Sequence, residues 1–103
     1  MRIISIKAIR VFWEHQDFKD SEESLKSWYD EAKIATWKTP NEIKSQYKNA
    51  SILKDSRVVF NIHGNKYRLI VKINYPYSIV YVRFVGTHEE YDKINANEVW
   101  YGI

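Results

Sequence analysis

Four residues in the last third of the chain have types that could do chemistry together: Arg68, Arg83, His88 and Tyr91. An arginine fork matches phosphate oxygens and keeps its proton. Histidine, with a reference pKa of ~6.5, exchanges protons near neutrality. Tyrosine can stack on a base or share in a proton transfer. Cleaving RNA without a metal uses the substrate 2′-hydroxyl as nucleophile. It needs a base for that proton, an acid for the leaving 5′-oxygen and cations for the charge building on phosphorus. Three dispersed histidines and no cysteine give no metal-ligand spacing, so neither metal nor other cofactor is expected.

The elements that must position these groups follow from period-two alternation. Val58, Phe60 and Ile62 are apolar in the run from Arg57 to His63, as are Tyr67, Leu69, Val71 and Ile73 in the next, and Val80, Val82 and Phe84 in the third. Gly64-Asn65 is a two-residue hairpin signal, since such turns need positive φ. It sets Asn61 opposite Arg68. The Tyr75-Pro76-Tyr77-Ser78 turn then sets Ile70 opposite Arg83. Arg68 and Arg83 become diagonal neighbours, roughly 7–8 Å apart at the backbone. Arg57, Asn61 and Lys72 line the same face, and the apolar face must be covered by helices.

Thr87 should cap a short terminal helix, with Glu90 completing a capping box. His88 then opens the helix, and Tyr91 and Asp92, three and four residues on, share its face. Each has a plainer reading. His88 alone is more often a surface residue at a helix start, and Tyr91 alone a half-buried aromatic. Glu89 and Glu90 are helix-start acids, and Asp92 could simply orient His88. The arginine pair is harder to attribute to packing.

Ahead of the strands lie helical patterns. Ile3, Ile4 and Ile6 suggest a short first strand. Ile6, Ile9 and Trp13, with Ala8 and Phe12, fall at helical spacing. After a polar connection, Asp20 or Ser21 is the expected cap of a helix with the stripe Leu25, Trp28, Ala32 and Ala35. Thr39, Pro40 and Glu42 start another, with Ile43 and Tyr47 inward. Asn49 to Ser56 reads as a loop into the strands. The fold expected is α+β, with N-terminal helices on one face of a small antiparallel sheet and a short C-terminal helix, forming one domain over residues 1–103.

The formal net charge of +3 hides a strong asymmetry. Between residues 51 and 86 stand Lys54, Arg57, Lys66, Arg68, Lys72 and Arg83 against a single acid, Asp55. Such a patch suits a polyanion, though surface strands also carry Lys and Arg for solubility. Tyr81 shares the Arg83 face and could stack on a base. No apolar run approaches the ~18–20 residues of a membrane span, and the first residues lack signal-peptide features. A cytoplasmic protein with no membrane partner is expected.

The run from Arg57 to Ile70, with its Asn65-Lys66-Tyr67-Arg68-Leu69, and the run from Val80 to Ile94, with its Thr87-His88-Glu89-Glu90-Tyr91-Asp92, closely resemble the HigB toxins of bacterial toxin–antitoxin systems, within the RelE/ParE superfamily. His63, before the turn glycine, departs from the pattern. The resemblance implies a RelE/ParE-like toxin fold and an mRNA interferase that cuts translated mRNA on the ribosome. It implies that Arg68 contacts the scissile phosphate, that Arg83 is a second basic position, and that His88 and Tyr91 serve proton transfer and stacking. Asp92 follows as a lesser carry-over, and Lys54 and Arg57 as backbone contacts. The implied partner is a HigA-like helix-turn-helix antitoxin, with operator DNA bound only through the complex. The same superfamily also holds toxins that poison DNA gyrase by binding. A basic RNA-binding module without chemistry is the third alternative.

Overall fold

The computed structural model describes residues 1–100. In chain order it runs β1 (Arg2–Ile4), α1 (Ile6–Glu14), a 3-10 segment (Gln16–Ser21), α2 (Glu22–Ile34), α3 (Pro40–Gln46), β2 (Ser51–Ile52), β3 (Arg57–Ile62), β4 (Tyr67–Asn74), β5 (Ile79–Thr87) and α4 (His88–Asp92). The sheet order is β1-β5-β4-β3-β2, antiparallel except for β1 beside β5. This is the α+β arrangement expected, with two additions. β1 joins as a parallel edge, and the presumed loop before β3 contributes β2 at the other edge.

The helices cover one face because their apolar stripes meet the alternating residues of the strands. Ile9 and Trp13 of α1, Leu25, Trp28 and Ala32 of α2 and Ile43 of α3 pack on Val58, Phe60, Ile62, Tyr67, Leu69, Val71, Ile73, Val80 and Val82. Phe60 sits at the centre of an aromatic cluster, with ring centroids of Trp28 at 5.5 Å, Tyr47 at 4.9 Å and Trp37 at 6.3 Å. Burying each such side chain contributes roughly 1.5–3 kcal/mol before entropy is counted.

Three local expectations change. Ser21 does not cap α2: its hydroxyl donates to the Phe18 carbonyl, because the 3-10 segment runs straight into the helix. Asp20 does not cap it either, and instead accepts from Lys66 and from the Tyr67 hydroxyl, tying the segment to the β3–β4 hairpin. That hairpin keeps the expected register, Asn61 opposite Arg68, but its left-handed residues are His63 (φ 54) and Gly64 (φ 66). A histidine there carries a Cβ penalty that glycine avoids.

The third change is a β-bulge. Near the turn, Val71 pairs with Val82 as expected, but Ile70 pairs with Phe84 rather than with Arg83. Arg83 is the extra residue. Beyond it the side chains of β5 exchange faces: Val85 joins the helix-covered core, while Phe84 joins Val59 and Ile70 on the opposite side. Phe84 was expected under the helices. Strict alternation fails there because a bulge places two successive residues against one on the partner strand.

Hydrogen bonding from Lys66, then from Tyr67, holds the Asp20 carboxyl below its ordinary range. A depressed carboxylate stabilises the fold above its unfolded pKa and loses that contribution as pH falls through the folded value. The urea midpoints of wild type and Asp20→Asn are expected to differ at neutral pH and to draw together as pH falls below about 4; a difference that stays constant across that range would show that the carboxylate charge contributes nothing.

Candidate active site

The site face is the one turned away from α1–α3. Its middle is a second, smaller core: Val59, Ile70 and Phe84 are buried under Leu53, Tyr91, Ile94, Ala96 and Val99. The chain after α4 therefore lies across the sheet. Arg57 fastens it, its Nη1 donating to the carbonyls of Ala96 (3.0 Å) and Val99 (2.7 Å). At 8% exposure, Arg57 is a structural clamp, and its geometry does not suit the RNA backbone contact expected of it.

Arg68 and Arg83 lie on opposite sides of this small core. Arg68 pairs with Gly86, whereas bulged Arg83 lies three residues back, about 10 Å along the strand. The expected diagonal pair is thus not formed. Arg68 Nη1 donates to the carbonyls of Asn65 (2.7 Å) and Tyr67 (3.2 Å), and its guanidinium carbon stands 5.7 Å from the Tyr91 ring centroid. Arg83 is flanked by Tyr81 at 5.1 Å and Trp100 at 5.0 Å. Burial, and then the like charge of Arg57, lower its pKa, yet a guanidinium remains charged. Among the described residues neither Arg68 nor Arg83 forms an ion pair with a carboxylate.

The end of β5 places His88. The Thr87 hydroxyl accepts from the Glu90 backbone at 3.1 Å, and the Glu90 carboxylate accepts from the Thr87 backbone at 2.8 Å, so the capping box is complete. The His88 backbone is also fixed to the Lys66 carbonyl at 3.0 Å. Its imidazole is about half exposed, with Glu89 Oε1 at 2.6 Å from Nε2 and Asp92 Oδ2 at 3.9 Å from Nδ1. Asp92 is thus a neighbour of the ring, beyond hydrogen-bond distance. The structure sets Arg68 against Tyr91, and Asp92 near His88, with Tyr91, His88 and Asp92 all carried by α4.

The other basic residues divide. Lys66 is engaged by Asp20. Lys72 and Lys54 are exposed, Lys54 in the turn before β3. Tyr81 is half-buried and lies beside Arg83, whose face it was expected to share. Trp100 and the clamp at Arg57 escaped sequence reasoning. The available signal was the pair Val59 and Ile70 on an otherwise polar face, matched by Ile94, Ala96 and Val99 after α4.

These features define a small α+β protein of the RelE-like toxin kind, with arginines and a histidine-bearing terminal helix on the open side of its sheet. The chain belongs to the HigB toxin family: the family model, described as the RelE-like toxic component of a toxin–antitoxin system, matches residues 21–94. It is 32% identical over 62 residues to the mRNA interferase toxin HigB of Escherichia coli strain K12, covering 58% of this chain and 60% of that protein. It is 30% identical over 73 residues to the mRNA interferase HigB of Escherichia coli O6:H1, covering 69% of this chain and 71% of the relative. The match to the K12 protein thus spans less than two thirds of its length.

Gly86 lies beneath this site. A Cβ there would stand 2.6 Å from Phe84 Cζ and 2.9 Å from Glu90 Oε1. Gly86→Ala should therefore push on both the small core and the capping box, lowering stability by about 1–3 kcal/mol in thermal or urea unfolding. Limited proteolysis should cut Arg57→Ala, but not wild type, between residues 93 and 100, because the clamp on that segment is gone.

Proposed function

We propose that this protein is the toxin of a type II toxin–antitoxin system and acts as an mRNA interferase, an endoribonuclease that cuts translated mRNA on the ribosome in the cytoplasm. The observation that carries the proposal is the placement of Arg68 against Tyr91, on the same short helix that begins with His88. Family membership supports it, as does the name mRNA interferase borne by the relatives.

In this reading Arg68 holds the scissile phosphate and stabilises the charge that builds on phosphorus. Its anchoring to two backbone carbonyls fixes the fork before substrate arrives, which is what electrostatic preorganisation requires. His88 is the proton-transfer group, with Asp92 close enough to take up a hydrogen bond to Nδ1 after a small side-chain movement, and exposed Glu89 yields its place on Nε2 to the substrate. Tyr91 orients the nucleotide or shares the proton transfer. Arg83, on the far side of the small core, meets a neighbouring phosphate, and Lys54 and Lys72 add to the positive field along the strand. The reaction is proposed to use protein groups alone, without a metal. The partner is a HigA-like helix-turn-helix antitoxin, which neutralises the toxin and carries the complex to operator DNA.

Induced expression followed by primer extension on cellular messages tests this. Wild type should arrest growth and leave cuts at fixed positions within codons. Arg68→Ala and His88→Ala should each lower cleavage by roughly 10²–10³-fold, enough to abolish arrest, while retaining unfolding midpoints and antitoxin binding. Full toxicity of both soluble variants would remove the site assignment. An SOS response without cuts would point to gyrase, and RNA binding without cuts would leave a binding module.

A further inference from the structure

Trp100 has no part in the reaction outlined for Arg68, His88 and Tyr91. It is a large aromatic side chain left 59% exposed, at the end of a segment that Arg57 clamps to the sheet through Ala96 and Val99. Its ring lies 5.0 Å from the Arg83 guanidinium, and the Tyr81 ring lies 5.1 Å from the same group. Two aromatic rings and a guanidinium without a carboxylate partner among the described residues thus form one cluster. It shares the sheet face with Arg68 and Tyr91 but is separated from them by the small core of Val59, Ile70 and Phe84.

Packing alone does not account for this arrangement. A tryptophan serving only to shield the small core would turn its ring toward Ile70 or Phe84. Here the packing is done by Ile94, Ala96 and Val99, and Trp100 extends past them to Arg83. Exposed aromatics interleaved with arginine are what single-stranded nucleic acid uses: the cation takes a phosphate and the ring takes the face of a base. The bulge sets the backbone of Arg83 apart, as the extra residue of β5, and its guanidinium lies beside the Tyr81 and Trp100 rings.

We propose that Tyr81, Arg83 and Trp100 form a second nucleotide subsite for single-stranded RNA, in which Arg83 holds a phosphate next to the cleaved one and Trp100 stacks on the attached base. The proposal rests on the ribonuclease reading above and deepens it. It makes Trp100 a substrate-positioning residue. The clamp at Arg57 becomes the element that keeps the platform in place.

Binding separates this subsite from the reaction. In a His88→Ala background, the affinity for a fluorescently labelled oligoadenylate of roughly ten nucleotides is followed by anisotropy at several salt concentrations. Trp100→Ala should weaken binding by roughly 5- to 100-fold without changing the salt dependence, and Trp100→Phe should recover most of the loss. Arg83→Ala should instead reduce the salt slope by about one unit. Unfolding midpoints of the Trp100 variants should match their parent, because the ring is exposed. Equal losses in Trp100→Ala and Trp100→Phe, or an affinity unchanged by Trp100→Ala, would overturn the subsite while wild-type cleavage left the ribonuclease reading standing. Tighter binding by Trp100→Ala would also overturn it and show the ring to be a cover on Arg83. If the parent bound no RNA and wild type cut none, both readings would fall together.

Discussion

The extra residue in β5 is the constraint from which the open face of the sheet takes its form. Up to Val82 the strand alternates strictly, with Val80 and Val82 under the helices. At Arg83 the pairing slips by one residue, so that Arg83 and Phe84 both escape the main core. Phe84 then seeds a second, smaller core with Val59 and Ile70, and the chain after α4 folds back to cover it. Without the slip, strict alternation would turn both Phe84 and Gly86 toward the helices, and Val85 away from them. The capping box at Thr87 and the position of His88 are built directly on that geometry.

The arginines show how one residue type is put to different uses by small differences in surroundings. Arg57 is sunk beneath the returning chain and satisfied by two carbonyls, which act as a latch. Arg68 is anchored by backbone acceptors at one edge of its fork and lies against Tyr91. Arg83 is held between aromatic rings, where burial and the nearby Arg57 charge act against it, and Tyr81 favours it. Lys66, by contrast, is engaged by Asp20 on the helix side. The positive patch counted along the sequence is therefore smaller in effect than its six residues suggest, since Arg57 and Lys66 are already engaged. On the terminal helix Glu90 serves the cap, and Glu89 and Asp92 flank the imidazole.

Local rules, read along the chain, determined a good deal of this protein. Alternation and turn chemistry placed β3 and β4 in correct register, with Asn61 opposite Arg68 and Lys72 opposite Arg57. Helical spacing identified the inward residues Ile9, Trp13, Leu25, Trp28 and Ala32, and the cap signals at Thr39 and Thr87 mark where α3 and α4 begin. These features depend on interactions within a few residues, so the sequence expresses them directly. Only the tertiary structure decided the bulge at Arg83, the return of residues 93–100 over the sheet, the burial of Arg57 and the meeting of Trp100 with Arg83. Each of those depends on contacts between segments distant along the chain, where one slipped pairing reverses which side a residue faces.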